Sequence, residues 1–461
     1  MEPASAPPLP PYADATATPG ALTVQLPVRP DAEQALGAYL RAHPFPFARI
    51  GAVHYARWAI LPRGEDGAGY PVPATLLLAV NHDGATDGWL AAAVDEAAEA
   101  LDARLAFCEG YPPPPERTPA RRLAYLQAHA LPHDVFYVGA HRRTLAQILH
   151  EARLHAAIQD FVDGRDWRGT EPAEVRRAIQ HYVFEERGDA FAWARTPPPP
   201  PVNRLRCFAR RFWWVLVGAG FALAIVLAVL FTRLALGWLL VPAVIAGLPL
   251  VAALAALLVV RVKEARENWA FRTDPVLPYR RADDYPERPD PRQPQTPLTH
   301  VAAVRPGRIR HATLRFVLWG VEAMCRCRYT RGMIAGIRTI HFARWVRVDG
   351  GRRLIFLSNF DGSWINYLAE TSDDLAAGPL TALWSNTEGF PPTRWLFHDG
   401  ARDVDRFAAW TAAGEALTQD WYCAYPALSL FNIDNNTALR HGLSPEVDLD
   451  DDGLRLWLRR I

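Results

Sequence analysis

One strand-and-turn pattern occurs twice in this chain, in the same order and on either side of a long apolar block, and it constrains the architecture more than any other feature. His54-Tyr55-Ala56-Arg57-Trp58 is answered by His341-Phe342-Ala343-Arg344-Trp345, and Asn81-His82-Asp83-Gly84 by Asn359-Phe360-Asp361-Gly362. Glu109-Gly110-Tyr111-Pro112-Pro113 returns as Glu388-Gly389-Phe390-Pro391-Pro392, and Phe136-Tyr137 as Trp421-Tyr422. Four matches in order point to an internal doubling. The copies differ most by an insertion at 63–71, a hairpin position where related units commonly diverge.

Each copy reads as strand, hairpin, strand, helix, strand, and a last strand leading into a helix. Apolar runs end at Asn-x-Asp-Gly turns, and amphipathic helices follow. Antiparallel hairpins alternating with helices predict an α+β fold of two ferredoxin-like repeats, packed face to face as a pseudo-dimeric α/β barrel. The expected organisation is an N-terminal arm at 1–22 and a first repeat with a helical tail at 23–195. A Pro/Arg-rich spacer follows at 196–211, then the apolar block at 212–260, a linker at 261–300 and a second repeat at 301–461.

The apolar block predicts an inserted hairpin of two transmembrane helices. Residues 212–231 carry no charge and are long enough for a hydrocarbon core of about 30 Å. Thr232 and Arg233 interrupt, and 234–260 form a second run. Arg204, Arg206, Arg210 and Arg211 precede the block, whereas Arg261, Lys263 and Arg266 follow it. By the positive-inside rule both flanks face the cytoplasm, which predicts an inner-membrane protein with two spans, both termini cytoplasmic, and the lipid bilayer as partner. Neither span holds an acidic residue or a histidine, so the hairpin reads as an anchor.

Composition narrows the function classes. Of 461 residues half are hydrophobic, and the formal net charge is +1. Lys263 is the only lysine among fifty basic residues, so the arginines reflect general usage, and no nucleic-acid partner is expected. Cys108, Cys207, Cys325, Cys327 and Cys423 are too scattered for a disulfide framework and read as reduced thiols. The chain contains no GxxxxGK[ST] loop, GxGxxG turn, HExxH helix or GxSxG elbow, which disfavours nucleotide hydrolysis, zinc proteolysis and α/β-hydrolase chemistry.

Candidate residues come from the matched stretches. On alternating strands His341, Ala343 and Trp345 should share one face, as should His54, Ala56 and Trp58. These histidines and tryptophans, with Asn359 and Asp83, are candidate binding residues at a pocket on the open face. Asp83 and Asp361 follow strands and precede helices, which suits either helix capping or a working carboxylate. Arg344 lies among apolar neighbours and needs a partner such as an aspartate. Asp361, Arg344 and Glu388 are the candidate catalytic groups.

The stretches 299–319, 336–368, 384–395 and 421–436 resemble a family of uncharacterised bacterial membrane-associated proteins. More distantly, a duplicated ferredoxin-like barrel with Asp-Gly after a strand is similar in plan to the superfamily of dye-decolourising peroxidases and chlorite dismutases. That resemblance implies haem as cofactor, with Asp361 as distal acid/base, Arg344 stabilising negative charge and His341 or His398 as axial ligand. "SNFDG" lacks the leading glycine of the peroxidase motif. Two functions therefore stand as expectations: a membrane-anchored barrel that binds a small molecule or acts as a scaffold, and a haem peroxidase.

Overall fold

The structure is a computed structural model and describes residues 18–198, 205–210, 255, 257–267, 294–330, 332–364, 366–367, 370 and 374–461. In the N-terminal half the strands are β1 (Pro19–Pro27), β2 (Val53–Leu61), β3 (Gly64–Glu65), β4 (Pro71–Val72), β5 (Thr75–Asp83), β6 (Ala130–Leu131) and β7 (Val135–Val138). Its helices are α1 (Glu33–Ala42), α2 (Thr86–Glu96), α3 (Ala98–Leu105), α4 (Pro119–Ala128), α5 (Leu145–Asp163), α6 (Pro172–His181) and α7 (Gly188–Phe191). The C-terminal half supplies β8 (Gln295–Ala303), β9 (Ile340–Val348), β10 (Arg353–Asp361), β11 (Thr393–Arg394), β12 (His398–Asp399) and β13 (Thr418–Cys423). Its helices are α8 (Arg308–Cys327), α9 (Asp374–Trp384), α10 (Val404–Ala413), α11 (Leu430–Leu443) and α12 (Asp451–Leu458).

Two antiparallel sheets dominate, one in the order β13-β2-β5-β1-β6 and the other β7-β9-β10-β8. They face each other across a layer built from Ala59, Leu61, Leu77 and Ala79 of one and Val346, Val348, Ile355 and Leu357 of the other. Helices cover the outer faces, α1 to α4 on the first sheet and α8 to α10 on the second. Covered on both faces, β2 is buried along its whole length rather than at alternate residues. The β9-β10 hairpin turns through Asp349, Gly350 and Gly351, all at positive φ, which is where glycine has no steric penalty. A further cluster joins α5, α6, α11 and α12, helices from both halves of the chain. Within it the buried pair Glu151 and Arg440 meets at 3.2 Å, and Thr437 and Gln147 also donate to Glu151.

Two self-contained ferredoxin-like repeats are not what forms, and that expectation is corrected. β7 belongs to the first half but pairs with β9 of the second, whereas β13 belongs to the second and pairs with β2 of the first. Neither half holds all the strands of its own sheet, and the sheets differ, with five strands and four. The insertion at 63–71 adds to the exchange: it forms the β3-β4 hairpin, and Asp66 in its turn meets Arg352 of the other half at 3.5 Å.

The transmembrane hairpin and the two-span inner-membrane placement are corrected as well. Among the described residues no helix is long and apolar enough to cross a membrane. The expected first span, 212–231, and most of the second, up to 254, lie outside the described residues. Where the second run is described, at 257–260, it opens a helix that continues to 267 through Arg261, Lys263, Glu264, Arg266 and Glu267. Its two glutamates dock it on the second half, Glu267 against Arg305 and Arg310. Glu264 is buried and accepts from the backbone N–H groups of Trp395 (2.8 Å) and Leu396 (2.9 Å) and from the Thr393 hydroxyl.

Not all the cysteines are free thiols: Cys207 is bonded to Cys327 at the end of α8, while Cys108, Cys325 and Cys423 are free. No spacing rule could reveal this pairing, because the partners are 120 residues apart.

Candidate functional site

The candidate residues fall into two places. The first is the seam between the sheets. Both histidines sit at irregularities in their strands: the pairing of β2 with β5 slips between Val53 and Tyr55, and that of β10 with β9 between Asn359 and Phe360. A β-bulge adds a residue and re-aims its side chain, so each histidine leaves the alternation expected of it. His54 lies 5.2 Å from Phe342 and His341 lies 5.6 Å from Tyr55, each ring facing one from the opposite sheet. Trp58 and Trp345, by contrast, point into the helix-covered cores. Histidine and tryptophan therefore do not share a face.

Each histidine meets the aspartate of its own sheet. His54 Nε2 lies 3.0 Å from Asp83 Oδ1, and His341 Nε2 lies 2.8 Å from Asp361 Oδ1. The other carboxylate oxygen accepts the first backbone N–H of a helix, Leu145 of α5 for Asp83 and Leu430 of α11 for Asp361, both at 2.7 Å. Four N–H groups at a helix start lack intrahelical partners and the helix dipole favours an anion there, so the carboxylates are held firmly. Both aspartates thus act on a helix start, though on one remote in sequence and not on the helix that follows them. The pairs differ in their outer contact. His54 Nδ1 lies 3.1 Å from the Tyr425 hydroxyl, whereas His341 Nδ1 is buried with no hydrogen-bond partner among the described residues.

Deeper in the seam, Arg57 and Arg344 reach across to the opposite sheet. Arg57 donates to the carbonyls of Leu298 (2.6 Å) and Ser358 (2.7 Å) and to Asn359, while Arg344 donates to the Val80 carbonyl at 3.0 Å. Burial, reinforced by the nearby Arg57 charge, pushes the Arg344 guanidinium down to about 9. Asn359 also accepts from the Trp421 indole at 3.3 Å. The arginines bond to backbone carbonyls and an amide rather than to the aspartates expected to pair with them, and Arg344 Nε is buried without a partner among the described residues.

Haem does not fit these residues. Asp361 spends both oxygens on His341 and the α11 start, and Arg344 is bonded to Val80 rather than poised beside Asp361. His54 is engaged at both ring nitrogens, and His341 is 1 % exposed and wedged among Tyr55 and Tyr425. His398 lies exposed on the two-residue strand β12. Glu388, the third candidate catalytic group, lies elsewhere, on the loop after α9. Burial raises its carboxyl, opposed by Arg305.

The second place is a cavity of about 270 Å³ between α8 and the outer face of the second sheet. Phe316, Val317, Gly320, Val321 and Met324 of α8 form one wall, and Trp345 and Phe356 of the sheet form the floor. Tyr329, Ile334 and Ile337 from the loop after α8, with Leu380 and Leu383 of α9, close the sides. No carboxylate, amine, guanidinium or imidazole lines it, and its polar atoms belong to Tyr329, Tyr367 and Trp345. Burial raises both phenols well away from ionisation near neutral pH. Phe316 (70 % exposed) and Phe397 (53 %) stand at its mouth. Of the predicted site residues only Trp345 borders it. A helix with an apolar face is ordinarily packed tight, and nothing local in the sequence marks the gap beneath α8.

In comparisons with known proteins, no family model, no curated protein and no solved structure matches this chain.

Proposed function

We propose that this protein binds an apolar small molecule in the cavity beneath α8. The supporting observation is the lining itself, an apolar space of about 270 Å³, open at one mouth, without an ionisable acid or base other than two phenols. An apolar cavity of about 150 Å³ stays dry and accepts benzene, so this one matches roughly two fused rings or a chain of about ten carbons. Burying such a chain releases about 0.8 kcal/mol per methylene, enough to exceed the cost of immobilisation. The crossing arginines tie the two sheets together, and the His-Asp pairs fix the starts of α5 and α11.

Gly320 provides the test, because it lines the cavity and a Cβ placed there meets nothing within 4 Å. Gly320→Leu should fill the cavity while improving the helix, since glycine in a helix interior costs about 1 kcal/mol. The neutral dye N-phenyl-1-naphthylamine should bind the wild-type chain saturably at one site and be excluded from Gly320→Leu, whose thermal midpoint should not fall. Absence of saturable binding, or equal binding by the variant, would overturn the reading.

A further inference from the structure

We infer that the ligand is a single-chain amphiphile with an anionic head, its tail in the cavity and its head against Arg308, His311 and Arg315 of α8; this rests on the cavity being a binding site. Those three residues, with Gly307 and Ala312, line a surface concavity of about 420 Å³ on the first turns of the helix. Spaced three and four apart, they share one helical face. Phe316 follows Arg315 directly and lies one turn, about 5.4 Å, beyond Ala312, so the cavity mouth begins where the basic groove ends.

Two features favour an anion at that junction. Arg305 and Arg310, beside the groove, are neutralised by Glu267, whereas neither Arg308 nor Arg315 pairs with a carboxylate among the described residues. Phe316 is 70 % exposed although it borders an apolar space, as expected of a lip that a chain passes on its way out. A neutral ligand would use the cavity and leave the groove idle. A cationic head would be repelled by it. An anionic head satisfies the arginines, and the tail of about ten carbons that fits the cavity ends beside them. The same chemistry serves a carboxylate or a phosphate monoester.

Competition against N-phenyl-1-naphthylamine tests this, using dodecanoate, dodecyl phosphate, dodecanol and dodecyltrimethylammonium below their micelle concentrations on the full chain. The anionic compounds should bind at least about tenfold more tightly than dodecanol, the gain expected of a hydrogen bond to a charged group. In the double variant Arg308→Gln/Arg315→Gln that gap should close while dodecanol affinity is unchanged; the relative affinities of dodecanoate and dodecyl phosphate distinguish the two head groups. Dodecanol or dodecyltrimethylammonium binding as tightly as the anions, or a gap that survives in the double variant, would overturn the inference and leave the cavity standing. If neither the dye nor any chain binds, the cavity reading falls and takes this one with it.

Discussion

Asp361 shows how one side chain serves two elements. Its carboxylate accepts from His341 and from the first N–H of α11, so Asp361→Ala orphans a buried imidazole and a helix start together. The expected cost is about 2–4 kcal/mol, read as a lower urea midpoint, with Asp361→Asn losing less because its amide oxygen can still accept one bond. His300 makes a different prediction. Packed against Trp384 at 5.2 Å and Trp410 at 4.3 Å, it is held by burial down to about 3, whereas the unfolded chain titrates near 6.5. Between those values the unfolded state binds more protons, so stability is full above pH 6.5 and is lost as pH falls toward 3, by up to about 1.4 kcal/mol per pH unit. Unfolding measured from pH 7 to pH 4 should show that slope, and His300→Leu should flatten it.

Among the elements, α8 carries the most consequence. It walls the cavity, bears the basic groove and ends in Cys327, which ties it to the segment 205–210. Closing a loop of 120 residues stabilises by up to about 5 kcal/mol if the gain is entropic. Reduction, or Cys207→Ser, should therefore lower the thermal midpoint, and alkylation should count two more free thiols after reduction. At the β3-β4 hairpin a Cβ on Gly67 would lie 2.5 Å from the Val304 carbonyl, so Gly67→Ala should prise this hairpin from the second half. The strands and turns of both halves were legible locally, since Asn-x-Asp-Gly ends an apolar run at both Asp83 and Asp361. The faces presented by His54 and His341 were not, because a one-residue bulge cancels the period-two rule without leaving a mark in residue type.

For the whole molecule, exchange of β7 and β13 means that each sheet is completed by the other half. Residues 18–198 produced alone would expose the β2 edge that β13 covers, and an unpaired apolar edge invites association. That fragment should self-associate or aggregate on size exclusion, and mixing it with 257–461 should restore a one-to-one complex with native-like circular dichroism. A cleanly monomeric, cooperatively folding fragment would contradict this account of the interface. The clamp of α5 and α11, sealed by Glu151 and Arg440, would also be missing from either piece alone.

By itself the sequence determined the local grammar: where apolar runs form strands, where Asp-Gly ends them, and that the chain is α+β. Those properties depend on neighbours in the chain, through side-chain alternation and capping. Tertiary structure alone decided which strand completes which sheet, which helix each aspartate serves, that Cys207 meets Cys327, and that α8 leaves a cavity over Trp345 instead of packing shut. Each depends on contacts between residues tens to hundreds of positions apart, and hydrophobic burial, which drives them, is non-directional and does not name its partner.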